Sequence, residues 1–410
     1  IAENAKERIL QSRPPLLIEK NKINLISAGN TEDDFNLVGN ADWVVEAVVE
    51  RVNVKKDIYK KIENNRKQDS IISSNTSTIP LKVLSADMSD EMKKNFCITH
   101  FFNPVRYMGL LEIVIEPIND KEKINLLKSF CDEKLGKGVI LCKDTPGFLG
   151  NRVGVYAIQV AMTEAFKMGL TIEEADAVFG RPMGIPKTGV FGLYDLIGLD
   201  LMADVLKSFI KELPKDDPFY EVAQENPLIT KLISKGYTGR KGKGGFYRIN
   251  KKNGKKILES INLKTGKYAP SRKFIHSITN TNIKELISLE DMYGKYAWSV
   301  ISKIIIYASS LIPDVTEEHN NIDEAMRLGF NWIKGPFEIL QEEIGILDFI
   351  MKNQNLKQSK FINYLYLNEK EQWYGKKQLY LDSELTTLRR ENSKNRLGTF
   401  GFVNSAKVYA

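Results

Sequence analysis

Five short apolar runs rich in β-branched residues punctuate the first third of the chain: Trp43–Val49, Ile71–Ser74, Phe96–Phe101, Leu110–Ile115 and Val139–Cys142. Charged segments with helical periodicity separate the first few, notably Val54–Asn65, and another runs from Lys121 to Lys134. Mainly apolar runs that do not alternate strictly with polar residues have no marked solvent face. Alternating with helices, they predict a mostly parallel sheet covered on both sides. After Asp144 the pattern changes. Asn151–Met168 reads as a long amphipathic helix, and helical stretches continue to about Ile233. Gly239–Tyr247 is rich in glycine and lysine, and Lys251–Arg272 reads as a polar connector with a small hairpin around Asn253 and Gly254. Tyr296–Ile312 is the most apolar helical segment, but Lys303 interrupts it and it is too short to span a bilayer.

An internal repeat follows. Residues 164–198 contain Glu-Ala, Met-Gly, Ala-Asp, Gly-Ile-Pro and Asp-Leu-Ile-Gly in order. Residues 322–345 contain Ile-Asp-Glu-Ala-Met-Arg-Leu-Gly-Phe, Gly-Pro-Phe-Glu and Glu-Ile-Gly. The matching order predicts two copies of one helical unit. The second lacks an Asn-Arg pair preceded by Pro-Gly-Phe, which marks it as structural. From Asp382 the chain turns polar and reads as a linker.

The net charge of +7 is scattered, with small clusters such as Arg240, Lys241 and Lys243. That suits an anionic small molecule better than nucleic acid, for which neither a basic stripe nor a reader motif is present. Cys97, Cys131 and Cys142 have no ligand-like spacing, so neither a zinc site nor a disulfide framework is expected. With no signal peptide visible, a cytoplasmic location is the default.

The chemistry concentrates between Ser73 and Asn151. Ser-Ser-Asn-Thr-Ser-Thr at 73–78, Thr-His-Phe-Phe-Asn-Pro at 99–104, Leu-Leu-Glu at 110–112 and Asp-Thr-Pro-Gly-Phe-Leu-Gly-Asn-Arg at 144–152 set polar groups at the ends of apolar runs. Of the three histidines (His100, His276 and His319), only His100 has such a setting. An alcohol-oxidising enzyme needs a base near neutral pH, which histidine supplies. If the run at 110–115 returns beside His100, Glu112 can hold one ring nitrogen and raise the basicity of the other. Ser77 follows an apolar run, where open α/β sheets bind ligands, although a helix N-cap also favours serine. Asn151 opens a helix, where its amide can hold a carbonyl oxygen; taken alone it reads as a capping asparagine. Lys241, among Gly239, Gly242, Gly244 and Gly245, belongs to a loop that could close over a phosphate, though such clusters are most often solvated.

In this order these segments resemble the L-3-hydroxyacyl-CoA dehydrogenase family. The resemblance runs from about Asp42 to Tyr247 and through the second helical copy to about Gly345. His-Phe-Phe-Asn-Pro-Val-Arg-Tyr-Met and the duplicated C-terminal part look most like the bifunctional members, in which an enoyl-CoA hydratase domain follows. The resemblance implies an α/β Rossmann-like domain, N-terminally truncated (1–143), then an all-α domain in two copies (144–250 and 286–380), with a connector (251–285) and a linker (381–410). It implies NAD-dependent oxidation of 3-hydroxyacyl-CoA to 3-ketoacyl-CoA, with His100 as base and Glu112 orienting it. Ser77 and Asn151 would be substrate-side, and Glu50, Lys55, Ser77, Asn103 and Lys241 cofactor-side. A thiolase is a further expected partner. One departure is plain: the family's Gly-x-Gly-x-x-Gly turn, which receives the dinucleotide pyrophosphate, does not occur in the sequence. The chain is therefore expected to be a fragment, with an apolar slot where a central strand would lie. Two other readings stand beside this one: a related dehydrogenase of a free hydroxy acid, and a catalytically silent acyl-CoA-binding or scaffold module.

Overall fold

The computed structural model describes residues 2–13, 15–252, 255–274, 277–343, 345–352 and 358–367, with 379–381, 387–389 and 408–409 beyond them. The turn at Asn253 and Gly254, His276 and most of the 381–410 segment lie outside the described residues. The chain divides into two compact units, Ile1–Thr145 with Ser393–Ala410, and Pro146–Asn392.

In the first unit a short helix, α1 (Ala2–Gln11), precedes a sheet of β1 (Trp43–Glu46), β2 (Ile71–Ser74), β3 (Phe96–Phe101), β4 (Leu110–Val114) and β5 (Gly138–Cys142), lying side by side in that order. All pairings are parallel except β3 with β4. Residues 102–109, which join those two strands, are too few for the crossover a parallel pair needs, so the chain must turn straight back. Helices α2 (Val52–Asn65) and α3 (Lys121–Glu133) follow β1 and β4. Asp120 caps α3 by accepting the amides of Glu122 and Lys123.

Strand alternation separates greasy from polar. One face carries Ile71, Cys97, Leu111, Ile113 and Val139, packed on Ile124, Leu127 and Cys131 of α3. Each such side chain contributes about 1.5–3 kcal/mol on burial. Burial also pushes the Cys97 and Cys131 thiols up to about 12, so neither is a nucleophile. The other face carries Glu46, Ser74, His100 and Glu112, set together by the registers Glu46↔Ser74, Ser74↔Ile98 and His100↔Glu112. On this side the Tyr59 ring of α2 meets the Phe96 ring edge-on at 5.0 Å.

The second unit is mainly helical, and its described residues include a three-stranded sheet and a two-stranded antiparallel pair, Leu379–Leu381 with Thr387–Arg389. Helices α4 (Gly150–Met168) and α7 (Met292–Ser310) pack together. The Tyr296 hydroxyl donates to the Ala161 carbonyl at 2.9 Å, and Lys303 pairs with Glu164 at 2.7 Å. Between them in sequence lie α5 (Ile172–Val178) and α6 (Gly189–Ile197); α8 (His319–Phe330) and α9 (Pro336–Glu342) follow α7. One device occurs twice. Asp176 of α5 accepts the Phe191 and Gly192 amides of α6 at 2.7 and 3.1 Å, and Asp323 of α8 accepts the Phe337 and Glu338 amides of α9 at 2.9 and 3.0 Å. Each carboxylate satisfies orphan helix donors and meets the positive end of the dipole. The approach requires glycine: a β-carbon at Gly189 would lie 2.4 Å from Asp176 Cβ, and one at Gly335 2.2 Å from Asp323 Cα. A three-stranded antiparallel sheet, β6 (Tyr247–Lys252), β7 (Lys255–Ile261) and β8 (Tyr268–Pro270), begins before the connector expected at 251–285 and runs into it.

Burial pushes the Asp176 carboxyl up to about 7, although the Phe191 amide, the Tyr247 hydroxyl and the Gly192 amide oppose it. The folded state therefore holds a proton that the unfolded chain releases near pH 4. This contribution to stability is full below about pH 4 and is lost as pH rises through about 7. Asp176→Asn is therefore expected to be less stable than the parent by a margin that narrows between about pH 5 and about pH 8. Urea midpoints at the two pH values check this; a margin that stays constant or widens refutes it.

Candidate active site

His100 sits near the end of β3, directly opposite Glu112 on antiparallel β4. The imidazole Nδ1 lies 2.7 Å from Glu112 Oε2, and the carboxylate is fully enclosed by protein. Its other oxygen is 3.8 Å from the Cys142 thiol on β5. A carboxylate on Nδ1 fixes the tautomer with the proton on that nitrogen and leaves the Nε2 lone pair as acceptor. It also stabilises the imidazolium that forms when Nε2 takes a proton. The turn beyond His100 is held from below. The ammonium of the buried Lys137 donates to the carbonyls of Val105 and Met108. Arg106 and Tyr107 donate to the carbonyls of Leu16 and Pro15, each at 2.7 Å.

At the carboxyl ends of β1 and β2 a second polar cluster forms around Lys55, which is 1 % exposed. Its ammonium donates to Glu46 at 2.8 and 3.1 Å and lies 3.2 Å from Glu50 Oε2. Glu46 also accepts from the Tyr59 hydroxyl, the Ser74 hydroxyl at 2.7 Å and the Val48 amide at 2.7 Å. Glu50 accepts from Thr76, from the Ser77 amide at 3.2 Å and from Thr78 at 3.1 Å. Two carboxylates share one ammonium, so the cluster keeps one net negative charge when all three are ionised. Its half-exposed member is Glu50, whose side chain is 40 % exposed. Burial works to raise the Glu50 carboxyl, but Thr76, Lys55 and Ser77 outweigh it and hold it below its ordinary value.

The structure thus joins His100 to Glu112, and Glu50 to Lys55 and Ser77. Asn103 lies exposed on the turn after β3. Asn151 and Lys241 belong to the second unit, where Asn151 is in the first turn of α4 and Lys241 is exposed in the Gly239–Gly245 loop. Most of the loop's amides are spent on carbonyls of the loop and its neighbours. Gly239 bonds Gly244, Gly242 bonds Gly239, Lys243 bonds Gly236, Gly245 bonds Tyr247 and Arg240 bonds Asp195. The Asp195 carboxylate then takes the Phe246 and Tyr247 amides, both at 2.7 Å. What the loop offers an anion is therefore lysine side chains and not a backbone nest. Arg152, beside Asn151, is buried against Asp217 and the Tyr307 hydroxyl, and so ties α4 to α7.

Sequence reasoning missed Glu46, Tyr59 and Thr76. The signal for two of them was the buried stripe of α2, Lys55, Tyr59 and Ile62, at helical spacing. A lysine leading such a stripe requires a buried counterion. Among the described residues no cluster of three or more metal-ligating side chains occurs, and no helix is long and apolar enough to cross a membrane.

Residues 2–145 match the family described as 3-hydroxyacyl-CoA dehydrogenase, NAD binding domain, and residues 147–249 match its C-terminal domain. A protein of Rickettsia felis named as a fatty acid oxidation complex trifunctional enzyme is 38 % identical over 418 residues, all of this chain and 57 % of the relative. A protein of Deinococcus radiodurans named "Probable 3-hydroxyacyl-CoA dehydrogenase" is 35 % identical over 251 residues, 61 % of this chain and 71 % of the relative. The chain spans about half the length of the rickettsial relatives it matches. In fold it is similar to 3-hydroxybutyryl-CoA dehydrogenase of Escherichia coli, with a TM-score of 0.62 at 22 % identity, covering 82 % of this chain and 83 % of that one.

Proposed function

The chain belongs to the 3-hydroxyacyl-CoA dehydrogenase family, and on that premise we propose that it oxidises L-3-hydroxyacyl-CoA to 3-ketoacyl-CoA with NAD, within fatty-acid oxidation. The observation that carries the reading is the 2.7 Å contact between His100 Nδ1 and the enclosed Glu112 carboxylate. A silent binding module has no use for a base so prepared.

The strand ends suit the nicotinamide half of NAD. Glu50 keeps a half-exposed negative charge where open α/β sheets bind dinucleotides, and Ser77 and Asn103 follow the next two strands. The bound cofactor would take the hydride released from carbon 3. His100 Nε2 takes the hydroxyl proton as that hydride leaves, and Glu112 holds the imidazolium until the proton passes on. Ser77 and Asn151 are assigned to the substrate oxygen, and Lys55 to holding Glu50 in place. Lys241 is assigned to the cofactor's phosphates through its side chain.

The paired devices at Asp176/Gly189 and Asp323/Gly335 support two copies of one helical domain, about 144–250 and 286–380. Relatives named as trifunctional enzymes support further activities working beside this one. The chemistry names them: a hydratase that adds water to a 2-enoyl thioester supplies the substrate, and a thiolase that cleaves a 3-ketoacyl thioester consumes the product. Three buried, unbridged cysteines accord with a cytoplasmic location.

Acetoacetyl-CoA-dependent oxidation of NADH tests the assignment. It is run on this chain and on a form extended N-terminally by a strand and a glycine-rich turn. Activity in either supports the reading. No activity in a folded, extended protein, with a longer ketoacyl-CoA also inert, overturns it.

A further inference from the structure

The β6–β7 hairpin carries a surface that folding does not explain. β8 pairs only with Glu259–Ile261, so the distal part of the hairpin is a two-stranded ribbon. On one face the register sets Ile249 opposite Leu258, then Lys251 opposite Lys256. Ile249 is 64 % exposed and Leu258 51 % exposed. Lys251 and Lys256 are exposed as well. Among the described residues the ion pair on this hairpin is Arg248 with Glu259 at 2.7 Å, which lies on the opposite face.

Both halves of this face disfavour the isolated hairpin. Like charges directly opposite across a ladder repel, and aliphatic side chains side by side in water forgo burial. One environment satisfies both: an apolar layer beneath a sheet of negative charge. We infer that the Ile249/Leu258 and Lys251/Lys256 face docks on an anionic lipid bilayer. The aliphatic pair enters the headgroup boundary, and the lysine stems lie along it with their ammonium groups on lipid phosphates. Lysines that merely guard a sheet edge against pairing would account for the charge. They would not account for two large aliphatic residues paired and exposed next to it.

The test is sedimentation of the whole chain with phosphatidylcholine vesicles, with and without phosphatidylglycerol, at low ionic strength. Binding is expected only with the anionic lipid and is expected to weaken as salt rises. Lys251→Glu, which leaves an opposite-charge pair with Lys256 and so keeps the hairpin, is expected to weaken binding on the order of tenfold. Ile249→Ser with Leu258→Ser, at exposed positions, is expected to weaken it similarly. No binding by the parent protein overturns the inference. So does binding lost with Lys251→Glu but untouched by the serine pair, with equal capture by polyglutamate, since that outcome describes a general polyanion site.

Discussion

Replacing His100 by glutamine is expected to lower kcat for ketoacyl-CoA reduction by about 10²–10⁴-fold, with KM nearly unchanged. Glutamine retains an amide donor for Glu112, so the enclosed carboxylate keeps a partner and the variant should fold. The separation of kcat from KM matters, because a residue that only shapes the pocket changes both. Glu112→Gln is expected to cost less, since the imidazole survives as base but loses the negative charge that stabilises its protonated form. Wild-type kcat in a folded His100→Gln protein would end the case for His100 as base.

The largest stability effect is expected at Lys55. Lys55→Met leaves Glu46 enclosed, with its charge uncompensated, and should cost about 3–5 kcal/mol. A domain of ordinary stability has about 5–15 kcal/mol in all, so denaturant midpoints should fall far. Adding Glu46→Gln removes the stranded charge, and the double variant should recover part of the loss. Loss of less than about 1 kcal/mol in Lys55→Met would mean that water reaches the pair. Calorimetric NAD titration of Glu50→Gln gives an independent reading. Weaker binding with an unchanged melting temperature assigns the exposed carboxylate to the ligand and leaves the enclosed lysine as its support.

The strands could be read from the chain because short β-branched runs have few alternatives. Strand alternation over Phe96–Phe101 puts His100 on the side away from Cys97, and the return of β4 sets Glu112 opposite the ring. Lys55 was less legible. The sequence reading put it on the cofactor side; its buried partner Glu46 also accepts from Tyr59 and Ser74, a cluster drawn from three elements that only the fold assembles. The glycine-rich loop looked like a phosphate cradle by composition, and the carboxylate that ties it down, Asp195, is distant in sequence. The internal repeat was legible in order but not in register. Composition aligned Gly184-Ile185-Pro186 with Gly335-Pro336-Phe337, while the aspartate contacts match Gly189 to Gly335.

The antiparallel return at β3–β4 also shapes how this site can change over generations. His100 and Glu112 face each other because of ladder register, with Leu111 and Ile113 pointing to the opposite side. A single deletion within β4 would turn the glutamate into the aliphatic layer against α3 and bring a leucine or isoleucine to the histidine. Insertions in the exposed part of the 102–109 turn leave that pairing alone. Variation in length should therefore accumulate at the turn, while within the two strands descent proceeds by substitution and almost never by gain or loss of a residue.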